Sequence, residues 1–408
     1  MCRLPRRADC ALALTLVVAG FTSIPTPLAA QRLGPEQDRP KLEAGADTND
    51  AAAYLAHGAR ELEYAPDEAA AAFYWAARLD PSSADALYGR RIALLMRKPS
   101  TLKSYMSGNR KARASKEFKM IDSLQLRALR LNPLFYRRFD RTMIMAYYRN
   151  LLRMDAGSMS PGEVDQYIMQ ELDRRPASTR AWLAYSNGRM DQALILYSDA
   201  INRSKKSPLL RMDRARVYAT QGQVAPAIDD FKAALGLLQA QDDEEDEDVI
   251  FYDSKALVEH SIGLLWQLKG NPDSARAAYG RATIEDLSYF PAHVALGILS
   301  LAQGDSATAA VELALAAGLA TDDPYVHHLH GSVLVAMLQF AEAMEPLRKA
   351  IDLEPYFAAP HFSLAQALER SDDLAGARAE YERFVALASR RDAMRPTAMQ
   401  RVAGLAGK

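Results

Sequence analysis

The chain has 408 residues, enough for two or three ordinary domains or for one unit that grows by repetition. Its 50 Lys and Arg balance 51 Asp and Glu for a net charge of −1, so no overall field draws it to nucleic acid. A composition of 49% apolar and 25% charged residues is that of a folded soluble chain, which excludes disordered and collagen-like classes.

The first thirty residues read as an export leader. Arg3, Arg6 and Arg7 form a positive end, Ala11 to Ile24 is mostly apolar, and Leu28-Ala29-Ala30 offers small residues for cleavage before Gln31. The apolar run is shorter than the ~20 residues a membrane span needs, although retention as an N-terminal anchor is the alternative. The only cysteines, Cys2 and Cys10, leave with the leader, so the exported chain needs no disulfides. The expected destination is a bacterial periplasm or the exterior.

Residues 31–48 carry Gly, Pro and charge without periodicity and read as a flexible linker. Ala51–Glu63 and Asp67–Leu79 then form a helical pair, closed by Asp80-Pro81. Ser83–Met96 and Ser115–Leu131 make a second pair, split by a basic insertion at 97–114. Leu134–Leu152 and Pro161–Arg174 make a third, so 49–176 is an irregular helical block. Residues 177–240 hold two more units, in which Ala193, Tyr197 and Ala200 return as Ala227, Phe231 and Ala234.

After an acidic insertion at 241–255, residues 256–389 repeat regularly. Small residues recur every 34 at Gly263, Gly297, Gly331 and Ala365. Alanines follow at Ala275, Ala309, Ala343 and Ala377, and larger residues four further on at Tyr279, Leu313, Leu347 and Tyr381. Two helices packed at ~8–10 Å need small residues where they cross and larger ones beside them. Gly270 and Gly304 suit the left-handed turn that ends a helix, and Pro272 suits the start of the next. One such hairpin cannot cover its own apolar face, so its neighbours must stack on it. Arg395–Leu405, within 390–408, would cap the end. Nine helical pairs are expected, the first four irregular, with almost no strand.

These columns, with Phe290-Pro291, Asp323-Pro324 and Glu354-Pro355 at unit ends, resemble the tetratricopeptide repeat (TPR) family in its exported bacterial form. The family's signature tryptophan is absent; His293, His327 and His361 stand in its place. The resemblance implies an all-α fold, a right-handed α-solenoid of stacked antiparallel helix pairs. It also implies a concave groove lined by Val294, Ile298 and Leu301, then Tyr325, His328, Ser332 and Val335, then Phe362, Gln366, Glu369 and Arg370. The lysine–asparagine clamp with which some relatives hold a C-terminal carboxylate is missing. An apolar groove with a polar end suits an extended peptide or a docked helix. The alternative occupant is the chain's own N-terminal segment or a second copy, by self-association.

Three further features could carry chemistry. Histidines one repeat apart cannot share an ion, so no metal is expected. Asp242 to Asp248 are seven consecutive carboxylates, a solvated loop on ordinary grounds. Residues 97–153 hold 15 Lys and Arg against Glu117, Asp122 and Asp140, a net of +12, interleaved with aromatics such as Tyr105, Phe118, Phe135 and Tyr148. An ordinary solvated helix face accounts for such a stretch; export disfavours nucleic acid, and an anionic envelope lipid or polysaccharide, docked by Arg137, Arg138 and Arg141, is the alternative function. No Gly-x-Ser-x-Gly, His-Glu-x-x-His or phosphate-binding glycine loop is present, so no catalytic residue and no cofactor are expected. The function expected is a non-enzymatic protein–protein interaction scaffold acting outside the cytoplasm.

Overall fold

The structure is a computed structural model that describes residues 33–34, 36–107, 111, 114–152, 160–242 and 254–406. The expected leader, the acidic run beyond Asp242 and part of the basic insertion lie outside the described residues. Among the described residues there are helices and turns but no strand.

Twenty helices follow in chain order: α1 Ala51–Glu61, α2 Pro66–Leu79, α3 Ala84–Met96, α4 Pro99–Met106, α5 Lys116–Leu131, α6 Asp140–Leu152 and α7 Pro161–Asp173. Next come α8 Ala177–Ser186, α9 Met190–Arg203, α10 Pro208–Thr220, α11 Val224–Asp242, α12 Lys255–Leu268, α13 Pro272–Glu285 and α14 Phe290–Ala302. The last are α15 Ser306–Leu319, α16 Pro324–Ala336, α17 Phe340–Leu353, α18 Ala359–Arg370, α19 Leu374–Leu387 and α20 Arg395–Gly404. From α8 to α19 each helix packs on the next, and α16 also meets α18, which makes an all-α solenoid of stacked hairpins.

Packing within a hairpin follows the repeat columns. Ala275, Ala309, Ala343 and Ala377 are fully buried, as are Tyr279, Leu313 and Leu347. Glycine at the crossing is obligatory there. A Cβ on Gly263 would sit 2.3 Å from the Tyr279 ring, and one on Gly331 would sit 2.5 Å from Leu347. Gly188, Gly222, Gly270 and Gly304 end the first helix of their hairpins at φ of 73–79°. The same turn position later holds Leu338 at φ 61° and Asp372 at φ 66°, which are strained for residues with a Cβ. Side chains of Asn271, Asp305 and Asp373 then cap the second helices through the amides of Ser274, Thr308 and Gly376.

Three expectations change. Residues 97–114 are not simply loop, because Pro99 starts α4. The third pair begins at Asp140 rather than Leu134: the Asn132 side chain and successive backbone turns occupy 132–139. Asp140 itself is buried and accepts hydrogen bonds from the Tyr88 hydroxyl and, at 2.6 Å, from Trp182 Nε1.

The third change is the largest. Residues 33–49 are not a free linker. Leu33 is 1% exposed and its carbonyl accepts from Arg90 Nε at 2.7 Å. The Gln37 carbonyl accepts from Trp75 Nε1 at 3.1 Å, and Arg39 lies over the Trp75 ring while donating to the Tyr54 hydroxyl. The segment runs along a seam where the first hairpins meet the far end of the chain. Along that seam Arg130 stacks on Phe290, and Arg127 pairs with Asp322 at 2.8 Å. Arg78 pairs with Glu354 at 3.0 Å, Trp75 packs edge-on to Tyr356, and Asn49 donates to the Ala386 carbonyl. The contact points 290, 322, 354–356 and 386 are spaced by about one repeat, so the same turn of each successive unit is used. Leu33, Trp75, Ala256, Leu257, Ala282 and Ala292 belong to one buried cluster. The solenoid's two ends are therefore joined.

Candidate functional site: a cleft at the last hairpins

Closure of the seam leaves an open cleft at the C-terminal end, with a volume of about 760 Å³. Helix α16 supplies Ser332 and Val335, and the following turn supplies Leu338 and Phe340. Helix α18 adds Phe362, Gln366, Glu369 and Arg370, spaced so that they share one helix face. Helix α20 closes the side with Thr397, Arg401 and Leu405.

The walls divide by chemistry. Val335, Leu338, Phe340 and Phe362 form an apolar side, and the Phe362 ring is fixed against Tyr381 and Phe384 at centroid distances of 5.6 and 5.1 Å. At the polar end Glu369 accepts from the Tyr381 hydroxyl at 3.0 Å and pairs with Arg401 at 3.2 Å. Burial raises the Tyr381 hydroxyl above its ordinary range, and the adjacent Glu369 raises it further, so it stays a donor. Neither Gln366 nor Arg370 has a side-chain hydrogen-bond partner among the described residues, and Arg370 is exposed. The cleft thus offers an apolar wall, an unengaged amide and an unengaged guanidinium.

Six of the eleven groove residues named from sequence (Ser332, Val335, Phe362, Gln366, Glu369 and Arg370) are brought together here. His328 stands behind Ser332, 3.3 Å from its hydroxyl, with its ring edge-on to Phe357. Burial pushes His328 down to about 4, so it is neutral at physiological pH. Tyr325 does not line the cleft; burial raises its hydroxyl, and the charges of Asp80 and Asp323 raise it further. Val294 packs on the cluster of Ala316 and Val326. Ile298 and Leu301 are partly exposed on α14, outside the cleft. Sequence reasoning missed Leu338, Thr397, Arg401 and Leu405. The signal for Leu338 was its place in a column that Gly188, Gly222, Gly270 and Gly304 fill in earlier units; α20 lies outside the repeat and gave none.

The basic region is organised differently from the sequence reading. Arg137 points inward and pairs with Asp213 at 3.1 Å, while Arg138 pairs with Asp85 at 2.8 Å and lies over Phe139. Only Arg141 of that trio is exposed without such a pair. Phe118, Phe135, Phe139 and Tyr148 are buried as core. Sequence-distant carboxylates, invisible to a local charge sum, pair with Arg97, Arg127, Arg137, Arg138 and Arg149 of this region.

His293 and His361 each bind a glutamate nineteen residues on, Glu312 at 2.8 Å and Glu380 at 2.6 Å. In the unit between them that place is Pro346, and His327 turns instead to the Thr321 carbonyl. The histidine column therefore ties first helix to second within a unit. Among the described residues no three His, Cys, Asp or Glu side chains are grouped to hold a metal, and no helix is long and apolar enough to cross a membrane.

The sequence profile described as tetratricopeptide repeat matches residues 178–244 and 269–324. Those two stretches are tetratricopeptide repeats. No curated protein matches it. Among solved structures, the TPR protein YrrB, described as having an unusual peptide-binding site, is 15% identical, with 50% of this chain and 97% of that one covered at a TM-score of 0.40. The C-terminal part of a TPR repeat-containing protein from Cytophaga hutchinsonii is 18% identical, with 51% and 78% covered at a TM-score of 0.42. A chain of the APC/C hetero-tetramer Cut9–Hcn1 is 14% identical, with 86% and 76% covered at a TM-score of 0.40. At these values the likeness is of repeat fold, and nothing about ligands follows from it. The matched TPR units begin at α8; the four irregular pairs expected from sequence precede or open that stretch.

Proposed function

We propose that this TPR protein is a non-enzymatic scaffold that holds an extended segment of another protein in the cleft between α16, α18 and α20. The observation that carries this reading is the pairing of an apolar wall with unengaged polar groups, Gln366 and Arg370, on one helix face. Extended peptides are held by such alternation: a side chain sits against the apolar wall while polar groups fix register. Arg370, with Arg401 nearby, favours a segment that carries a carboxylate. The other expected groove positions, Val294, Ile298, Leu301 and Tyr325, lie outside this cleft and form no part of the proposal. The alternative of an anionic lipid or polysaccharide docked at 97–153 loses its footing once Arg137 and Arg138 are ion-paired within the fold.

A displayed random-peptide library panned on the purified chain tests this. Selected peptides should be acidic with an apolar residue adjacent. Arg370→Glu should weaken them at least about tenfold, and Val335→Glu should abolish binding. Peptides that bind all variants alike, with helicity intact, would refute the cleft. We further read the first thirty residues as a leader removed after about Ala30, with the scaffold acting in the periplasm or outside the cell. Intact mass of the protein recovered from an exporting bacterium should begin near Gln31; a cytoplasmic chain starting at Met1 would refute export.

A further inference from the structure

We infer that residues 33–49 are a releasable strap that locks the first hairpins onto the free edge of the last four repeats, so the solenoid is a closed ring with one removable seal. The strap touches both sides of the seam. At its start the Leu33 side chain joins a pocket shared by Leu87 and Arg130 of the first hairpins and Phe290 and Asp323 of the repeats. In its middle Glu36 lies 3.7 Å from Arg78, the same arginine that pairs with Glu354. At its end the Asp47 carboxylate accepts from the Arg390 amide at 2.5 Å, and the Gly45 carbonyl accepts from the Arg390 side chain. The first and last of these tie the strap directly to the far half of the chain, and the Glu36 contact reaches it through Arg78.

The strap has no regular backbone pairing of its own. Between Leu33 and Asn49 its side chains are polar or charged apart from Pro35, Pro40, Leu42 and the small residues; Glu43 pairs with Arg60 in solvent, while Arg39 and Glu36 reach inward to Tyr54, Trp75 and Arg78. Such a segment fully buries one large anchor, Leu33, adds partial packing by Leu42 and stacking by Arg39, and is otherwise attached by single hydrogen bonds and ion pairs. Elements with few buried apolar contacts open first, well below the free energy of the core. The first hairpins beneath it carry their own core of Phe73, Tyr74, Ile92 and Ile121 and stay folded when it leaves. Release would loosen the turn edge at Phe290 and Asp323, which share the pocket of Leu33.

The experiment uses the chain starting at Gln31, which contains no cysteine. Leu33→Asp should leave helix content unchanged, raise the radius of gyration in small-angle scattering, and speed proteolytic cutting within 33–49 about thirtyfold, the factor for losing burial of one leucine. Adding Asp47→Cys and Arg390→Cys, oxidised to a disulfide, should return the radius to that of the parent. An unchanged radius in a folded Leu33→Asp chain would overturn the inference. So would wholesale loss of helicity that the disulfide fails to restore, since the strap would then be core and not a seal.

Discussion

Glu354→Ala tests whether the seam rests on a buried ion pair or only on apolar contact. The Glu354 side chain is 0% exposed and that of Arg78 is 6% exposed, with 3.0 Å between Nε and Oε1. Arg78 also stacks on Tyr356 and Trp75, at 4.4 and 5.2 Å from the ring centroids. Removing the carboxylate leaves the guanidinium buried with Glu36 as its nearest carboxylate, at 3.7 Å and largely in solvent. Breaking a buried pair from one side costs about 3–5 kcal/mol, because the stranded charge keeps its desolvation penalty. With a urea slope of about 2–3 kcal/mol/M, the transition midpoint falls by roughly 1–2 M. Trp75 reports locally, since its ring lies 4.9 Å from Tyr356 across the seam. Urea titration followed by Trp75 fluorescence, with Trp182 and Trp266 replaced by Phe, should show the early shift. The double replacement Arg78→Met with Glu354→Leu should recover most of the loss, because no charge is left stranded. A loss under about 1 kcal/mol for the single variant would refute the reasoning and assign the seam to packing alone.

Acid should weaken the fold before the carboxylates titrate. Burial pushes His260 and His328 down to about 4, against 6.5 unfolded, so between these values the unfolded chain binds protons that the folded chain refuses. Their contribution is complete above pH 6.5 and lost as pH falls towards 4, about 3 kcal/mol for each at most; His260→Leu and His328→Leu should flatten that limb of a melting-temperature profile. Leu338→Gly should stabilise the chain by about 1 kcal/mol in urea by relieving φ 61°, yet weaken peptides bound in the cleft, since Leu338 is 70% exposed on its wall. Gly263→Ala should cost about 1–2 kcal/mol by thermal or urea unfolding: the clash at 2.3 Å with a Tyr279 ring held by Gln267 outweighs the helical preference of alanine.

What the sequence disclosed followed its periodicity. The Gly263–Tyr279 and Gly331–Leu347 crossings were readable because small and large residues recur at fixed offsets, and offsets within a hairpin are local. The turn glycines were readable until Leu338 and Asp372 took their place, where backbone strain replaced a composition signal. Part of the cleft was legible by resemblance, through Ser332, Val335, Phe362 and Gln366. Its other wall was not, because Arg401 and Leu405 lie on a helix outside the period. The strap looked like a linker because one buried leucine among polar residues has no pattern, and its partners lie from 15 to 345 residues away. For the same reason Arg137 looked like a surface cation: its counter-charge, Asp213, belongs to another unit.

Joining the ends also changes how the chain must fold. Hairpins 34 residues apart meet early and cheaply, but Arg78 reaches Glu354 across 276 residues and Arg390 reaches Gly45 across 345. Closing the longer loop costs about 2 kcal/mol more chain entropy than joining neighbouring units. High contact order of this kind slows folding, so the earliest-made helices wait, half sheltered, until the last repeat has emerged.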